Sequence, residues 1–191
     1  MSNDKDTRDR VRAYQAKDRE RVRMICVQTA PEALKQHEMM QPLLLRAFCD
    51  YYIEQEPENC FVVTNERDEA VGYIVCTEDA STWYRVFHDN YILPMGNEQA
   101  RQFLETTCEA CLSVSTDYPA HLHTDILPEY QRMGLGALMM ETLITHLRDK
   151  DIHGLALSVA SENEGAQRFY KKMGFQILEQ RPHETVMGIF M

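Results

Sequence analysis

The chain has 191 residues, 44% of them hydrophobic and 26% charged, a make-up that excludes wholesale disorder and fits a single globular domain, residues 1–191. Its formal charge is −10, and only the first 23 residues lean basic, with 8 Lys or Arg against 5 acids, so no nucleic-acid partner is expected and a cationic or amine-bearing one is favoured. No apolar run reaches the ~18 residues that cross a bilayer. Met1 to Arg12 is charged where a signal peptide is apolar, and six cysteines stand without a secretion signal, so a cytoplasmic protein with reduced thiols and no membrane partner is expected.

In chain order, Val11 to Tyr14 reads as a short strand, and Asp18 opens an amphipathic helix through Val22, Ile25 and Cys26 that Pro31 ends. A second helical stretch is expected from Glu32 to Glu54, kinked at Pro42 and closed by Pro57. Cys60 to Thr64 and Ala70 to Cys76 flank a polar turn and read as an antiparallel hairpin. Ser81 to Asp117 is less regular: a helix is expected from Glu98 to Ser113, and Trp83, Tyr84, Phe87 and Tyr91 read either as a satellite core under a long loop or, slightly favoured, as a substrate-facing wall. Ala120 to Leu127 alternates as a strand and ends at Pro128.

Beyond it, Gly134 and Gly136 lead into a helix with Leu135, Leu138, Met139, Leu143, His146 and Leu147 on one face, and Gly154 suits its C-terminal cap. Leu155 to Val159 is the next strand. Ser161 and Glu164 fit a capping box, the following helix runs to Lys172 and ends at Gly174, and Phe175 to Leu178 and Thr185 to Phe190 supply closing strands. The last strand, taken as an edge, would permit a homodimer. The pattern is α/β, with a mixed sheet of about six or seven strands flanked by helices.

The chemistry sits at the junction Asp125 to Ala137, a strand entering a helix through a glycine loop. The first amides of a helix lack intrahelical acceptors, and its dipole puts about half a positive charge there, so such a loop suits a phosphate. A P-loop would need Gly-Lys-Ser/Thr, which is missing, and a dinucleotide fingerprint would need a small residue where Met139 stands. Gln131-x-x-Gly134-x-Gly136-Ala137, however, resembles the Q/R-x-x-G-x-G/A signature of the GNAT superfamily of acyl-CoA N-acyltransferases. Asn163 through Tyr170 to Gly174-Phe175 is similar to that superfamily's N-x-x-A-x-x-x-Y-x-x-x-G-F block, and Pro119 to Pro128 resembles a bacterial subgroup related to the acetyltransferase-like domain of O-GlcNAcases.

The resemblance implies a GNAT fold with a splayed central sheet and acetyl-CoA (coenzyme A) between the fourth and fifth strands. Thr124, Asp125 and Ile126 would pair with the pantetheine arm, the amides of Arg132, Met133, Gly134, Leu135, Gly136 and Ala137 would hold the pyrophosphate, Asn163 would contact the cofactor, and Tyr170 would lie near the thioester sulfur. The activity implied is transfer of the acetyl group to a primary amine, of a small molecule or a protein, by direct attack.

The Ile126 N–H would meet the oxyanion and the Tyr170 phenol would protonate the leaving thiolate. Ribosomal-type relatives often carry a Glu five residues before the motif Asn, where this chain has Ser158. Serotonin N-acetyltransferases carry a His-x-His pair that His121 and His123 resemble with a one-residue slip, so His123 and Asp125 are the base candidates, beside ordered water. His starts nearer neutrality, at ~6.5 against ~3.9 for Asp. The alternative is a GNAT-like module that binds acetyl-CoA without catalysis. Cys108, Cys111, His121 and His123 have zinc-ligand chemistry, but Cys at i and i+3 is expected as an apolar helix face, with no metal.

Overall fold

The computed structural model describes residues 10–37 and 39–191. Lys5, Arg8 and most of the Met1 to Arg12 stretch lie outside the described residues. The strands are β1 (Val11–Ala13), β2 (Phe61–Thr64), β3 (Ala70–Thr77), β4 (Ala120–Ile126), β5 (Gly154–Ala160), β6 (Gln176–Gln180) and β7 (Glu184–Phe190). The α-helices are α1 (Arg19–Thr29), α2 (Glu32–Lys35), α3 (Gln41–Leu45), α4 (Tyr51–Gln55), α5 (Ala80–Phe87), α6 (Glu98–Ser113), α7 (Leu135–Asp149) and α8 (Glu164–Lys172). Helices and a mixed sheet therefore alternate along the chain, the α/β pattern expected. No described helix is long and apolar enough to cross a membrane.

Two compact units emerge, each built from two chain segments. The first gathers the described residues up to Cys76 with His123–His146; its strands run β1-β2-β3-β4, with β1 to β3 antiparallel. The strand residues Val62, Tyr73 and Ile74 and the helix residues Val22, Ile25, Leu44 and Tyr52 are fully or almost fully buried there. Bidentate bonds from Arg12 to the buried Asp18, at 2.7 and 2.9 Å, and a further bond to Asp68 tie β1 to the start of α1 and to the β2–β3 turn.

The expected helix from 32 to 54 is broken into α2, α3, a wider π turn at Arg46–Asp50, and α4. Pro42 starts α3 instead of kinking a longer helix, because the first turn of a helix does not use the amide that proline lacks.

The second unit comprises Thr77–Leu122 and Leu147–Met191, with strand order β4-β5-β7-β6. Parallel pairing joins Ala120 to Leu155 and His121 to Ala156, and β5 pairs with β7 along its whole length. Since β7 has β5 on one side and β6 on the other from Thr185 to Gly188, it is an inner strand there and not the edge expected for a homodimer.

α5 was not foreseen; Asp79 caps it, accepting from the Thr82 amide at 2.6 Å. Three of the four expected wall residues are core: Trp83 stacks on Phe87 at 5.2 Å, Phe87 on Tyr91 of the following turn at 5.4 Å, and all three are buried, while Tyr84 is half-buried. Gly154 is no helix cap. The left-handed residue after α7 is Asp151, and Gly154 is needed because a Cβ there would strike the Asp117 carbonyl.

Candidate active site

In the first unit β4 leads into the glycine loop. Thr124 Oγ1 donates to the Tyr73 carbonyl at 2.8 Å, and the Leu127 amide donates to the Val71 carbonyl at 2.9 Å, so β4 is held to β3 through both side chain and backbone. Gly72 lets the strands approach: a Cβ there would lie 2.9 Å from Ile126 Cγ1 and 3.0 Å from the Asp125 carbonyl. Successive amides of a strand point to opposite edges, so with Leu127 N–H turned to β3 the Ile126 N–H faces the other edge. Gln131 Nε2 donates to the Ile126 carbonyl at 2.9 Å and folds the loop back on the strand end.

Two residues of the loop take left-handed backbone, Arg132 at φ 61° and Gly134 at φ 82°. Nothing stands within 4 Å of where a Gly134 side chain would begin, so the space over the loop is open. The helical bond from the Leu138 amide to the Gly134 carbonyl leaves the amides of Leu135, Gly136 and Ala137 without acceptors inside α7. These amides, with the dipole of a 15-residue helix behind them, are donors of the kind that suits an anion.

Asp125 and His123 occupy the same face of β4, two residues apart. Their environments push them in opposite directions. The Asp125 carboxylate accepts from the Tyr73 hydroxyl at 2.7 Å, and burial lifts its pKa to about 6 against the lowering effect of hydrogen bonds from Tyr73 and Thr29. The imidazole of His123 meets Phe48 and Tyr52 edge-on, with centroids at 4.9 and 5.5 Å, and burial takes its pKa down to about 4. At neutral pH His123 is therefore uncharged and a weak proton acceptor, while Asp125 titrates close to the working range. His121 has a separate environment, buried against the edge of Trp83 at 4.4 Å.

In the second unit Asn163, not Ser161, caps α8, its Oδ1 accepting from the Ala166 amide at 3.0 Å. That bond uses the Oδ1 atom and leaves the Nδ2 donors of the side chain to other partners. Tyr170 is 9% exposed on α8, with its ring against Phe169 and Phe175 at 5.3 and 5.7 Å. Gly174, at φ 96°, ends the helix and lets the Phe175 amide donate back to the Tyr170 carbonyl at 3.0 Å.

Ser158 has a carboxylate neighbour on another strand. Ala160 pairs with Glu184, which places the Glu184 side chain on the same face as Ser158, and Ser158 Oγ donates to Glu184 Oε2. Arg181, 3.6 Å from the other Glu184 oxygen, is itself held by Glu179 and by Ser113 of α6.

Sequence reasoning had missed both Tyr73 and Glu184. Strand alternation could have placed them on a face, but only the cross-strand register identifies their partners. Cys108 and Cys111 are buried on α6, where burial pushes both thiols up to about 12, and Cys108 Sγ donates to the Leu104 carbonyl. Among the described residues no three His, Cys, Asp or Glu side chains converge as metal ligands.

Comparison with known proteins follows the same lines. The family model described as Acetyltransferase (GNAT) family matches residues 26–175. The crystal structure of SsHAT superposes with a TM-score of 0.80 at 29% identity, over 94% of this chain and 96% of that one. A Drosophila melanogaster polyamine N-acetyltransferase that forms N-acetylagmatine shares the fold, with a TM-score of 0.66 at 16% identity over 95% of this chain and 97% of its own. The Thermoplasma acidophilum PaiA N-acetyltransferase, solved with coenzyme A, has a TM-score of 0.59 at 13% identity, over 95% and 98%. Among curated proteins, probable N-acetyltransferase san of Drosophila melanogaster is 36% identical over 56 residues, 29% of this chain and 30% of that protein, so the match spans less than a third of either.

Proposed function

Because the chain belongs to the GNAT acetyltransferase family, we propose that residues 1–191 form an acetyl-CoA-dependent N-acetyltransferase acting on a primary amine. The observation that carries this reading is the open loop after β4, where left-handed Arg132 and Gly134 leave the α7 amides free to bind an anion. The residues fit coenzyme A: the amides of Arg132, Met133, Gly134, Leu135, Gly136 and Ala137 would hold its diphosphate, and the backbone of Thr124, Asp125 and Ile126 its pantetheine arm. Bound acetyl-CoA supplies an acetyl group on a thiol leaving group. A solved relative of the same fold carries coenzyme A, which supports this choice of cosubstrate.

The remaining chemistry is proton movement and charge stabilisation. The Ile126 N–H, on the β4 edge turned away from β3, is the proposed oxyanion donor. Asp125 is the proposed base; with a pKa of about 6 it is ionised at neutral pH yet still basic enough to accept the proton that the acceptor nitrogen loses as the C–N bond forms. His123, brought down to about 4, is the weaker of the two candidates and would serve as an uncharged wall beside it. Tyr170 is the proposed acid, giving its phenolic proton to sulfur as the C–S bond breaks. Asn163 would contribute to the cofactor site by capping α8.

The acceptor is a small-molecule or protein amine; polyamine and agmatine acetyltransferases share the fold, and the acidic balance of the chain suits a cationic acceptor. Thiol release from acetyl-CoA across a panel of amines tests the reading. Acceptor-dependent release is expected; coenzyme A binding with no release for any amine would leave only a binding module, the alternative that Ser158 in place of Glu had raised.

A further inference from the structure

A buried phenol stands directly behind the proposed base. Tyr73 is fully buried on β3, and its hydroxyl donates to Asp125 Oδ2 at 2.7 Å, while its backbone carbonyl accepts from Thr124 Oγ1 at 2.8 Å. One residue of β3 thus grips two successive residues of β4 through two unrelated atoms. Gly72 beside it permits the approach, since any side chain there would meet Ile126 and the Asp125 carbonyl. We propose that Tyr73 is a positioning residue: it fixes which Asp125 oxygen faces the acceptor and sets how readily that carboxylate takes a proton.

The direction follows from the chemistry of the pair. A hydroxyl that donates to a carboxylate stabilises the charged form, opposing the burial that favours the neutral one. Burial and the negative neighbours push the phenol's own pKa well above its ordinary value, so Tyr73 stays a donor across the working range. The titratable groups around the pair are Cys26 on α1, Cys49 on the π turn with the Arg23–Asp50 ion pair beside it, and His123 on β4; Thr29 of α1 is the second donor to Asp125. None of these is a cation in contact with Asp125 that could replace the phenol.

The inference rests on Asp125 acting as the base, and its test separates the two claims. In Tyr73→Phe the Asp125 carboxyl, followed by NMR of protein labelled at the aspartate carboxyl carbon and assigned with Asp125→Asn, should titrate above the parent by about one pH unit. The acid limb of kcat should move upward with it, so that activity falls about fivefold more at pH 6 than at pH 8. An unmoved carboxyl titration overturns the role of Tyr73. A carboxyl that moves while the rate profile stays put removes Asp125 from catalysis and the catalytic role of Tyr73 with it. In the unaltered protein the Tyr73 hydroxyl proton should appear as a downfield resonance that shifts with the Asp125 titration; its failure to do so overturns the proposal without recourse to a variant.

Discussion

The two halves of β4 are built for different ends. Ala120, His121 and Leu122 are at most 1% exposed, and the first two pair with β5, so this half is sheet and core. From His123 to Ile126 every residue is only half-buried, and the side chains include a carboxylate, an imidazole and a hydroxyl. His121 and His123 show the contrast in one residue type: the first is sealed against Trp83, the second lies among Phe48 and Tyr52 beside the proposed base. The difference follows from pairing, since only Ala120 and His121 are matched to β5 and the later residues leave that edge.

The largest effect that would sharpen this contrast is expected just past the open half. Gly134→Glu should weaken coenzyme A binding by ~10³-fold, measured by calorimetry, because it puts a like charge into the anion cradle; with open space at that position the fold should survive, less about 1 kcal/mol for the left-handed backbone. In the closed half Leu122→Ala should instead cost about 2–5 kcal/mol of stability in denaturant titrations and leave kcat of the folded protein intact. A loss of kcat at full stability in that variant would break the division.

Tyr170→Phe should lower kcat by roughly 10² with coenzyme A affinity unchanged, and an unaltered kcat would remove Tyr170 from the mechanism. Asp125→Asn should lower kcat by roughly 10² and also stabilise the protein at pH 8. The carboxylate's pKa is about 6 folded against ~3.9 unfolded, so the folded state binds the proton more tightly and the parent loses stability as pH rises from about 4 to 6, by roughly 2–3 kcal/mol at most. The Asn variant has no such loss, and the difference in Tm should vanish near pH 4. The smallest effect is expected for Thr124→Val, about 1 kcal/mol from its bond to the Tyr73 carbonyl, with the acid limb of the rate unchanged.

Much of this was legible in the sequence where the signal is local. The helix Glu98–Ser113 shows its apolar period, the β2–β3 hairpin its turn residues, and the two motifs their spacing. α5 was hidden because its aromatics, which stack as a core column, suit a surface wall equally well when only composition is visible. The stretch from 32 to 54 was overextended for a similar reason: its apolar positions suit one long helix, whereas the structure has separate helices at Glu32–Lys35, Gln41–Leu45 and Tyr51–Gln55. Gly154 and Ser161 were each given the wrong task, since the reason for a missing side chain is a carbonyl from elsewhere in the chain, and the better of two nearby caps depends on the local backbone angle.

By itself the sequence determined the family, the order of the seven strands, and the glycine loop between β4 and α7, because each rests on residues close together in the chain. Which partners the ionisable groups acquire was decided only by tertiary structure. Tyr73 reaches Asp125 across 52 residues and Glu184 reaches Ser158 across 26, both through strand register. Register is set by the packing of whole strand faces, and the burial that weakens His123 and lifts Asp125 comes with it.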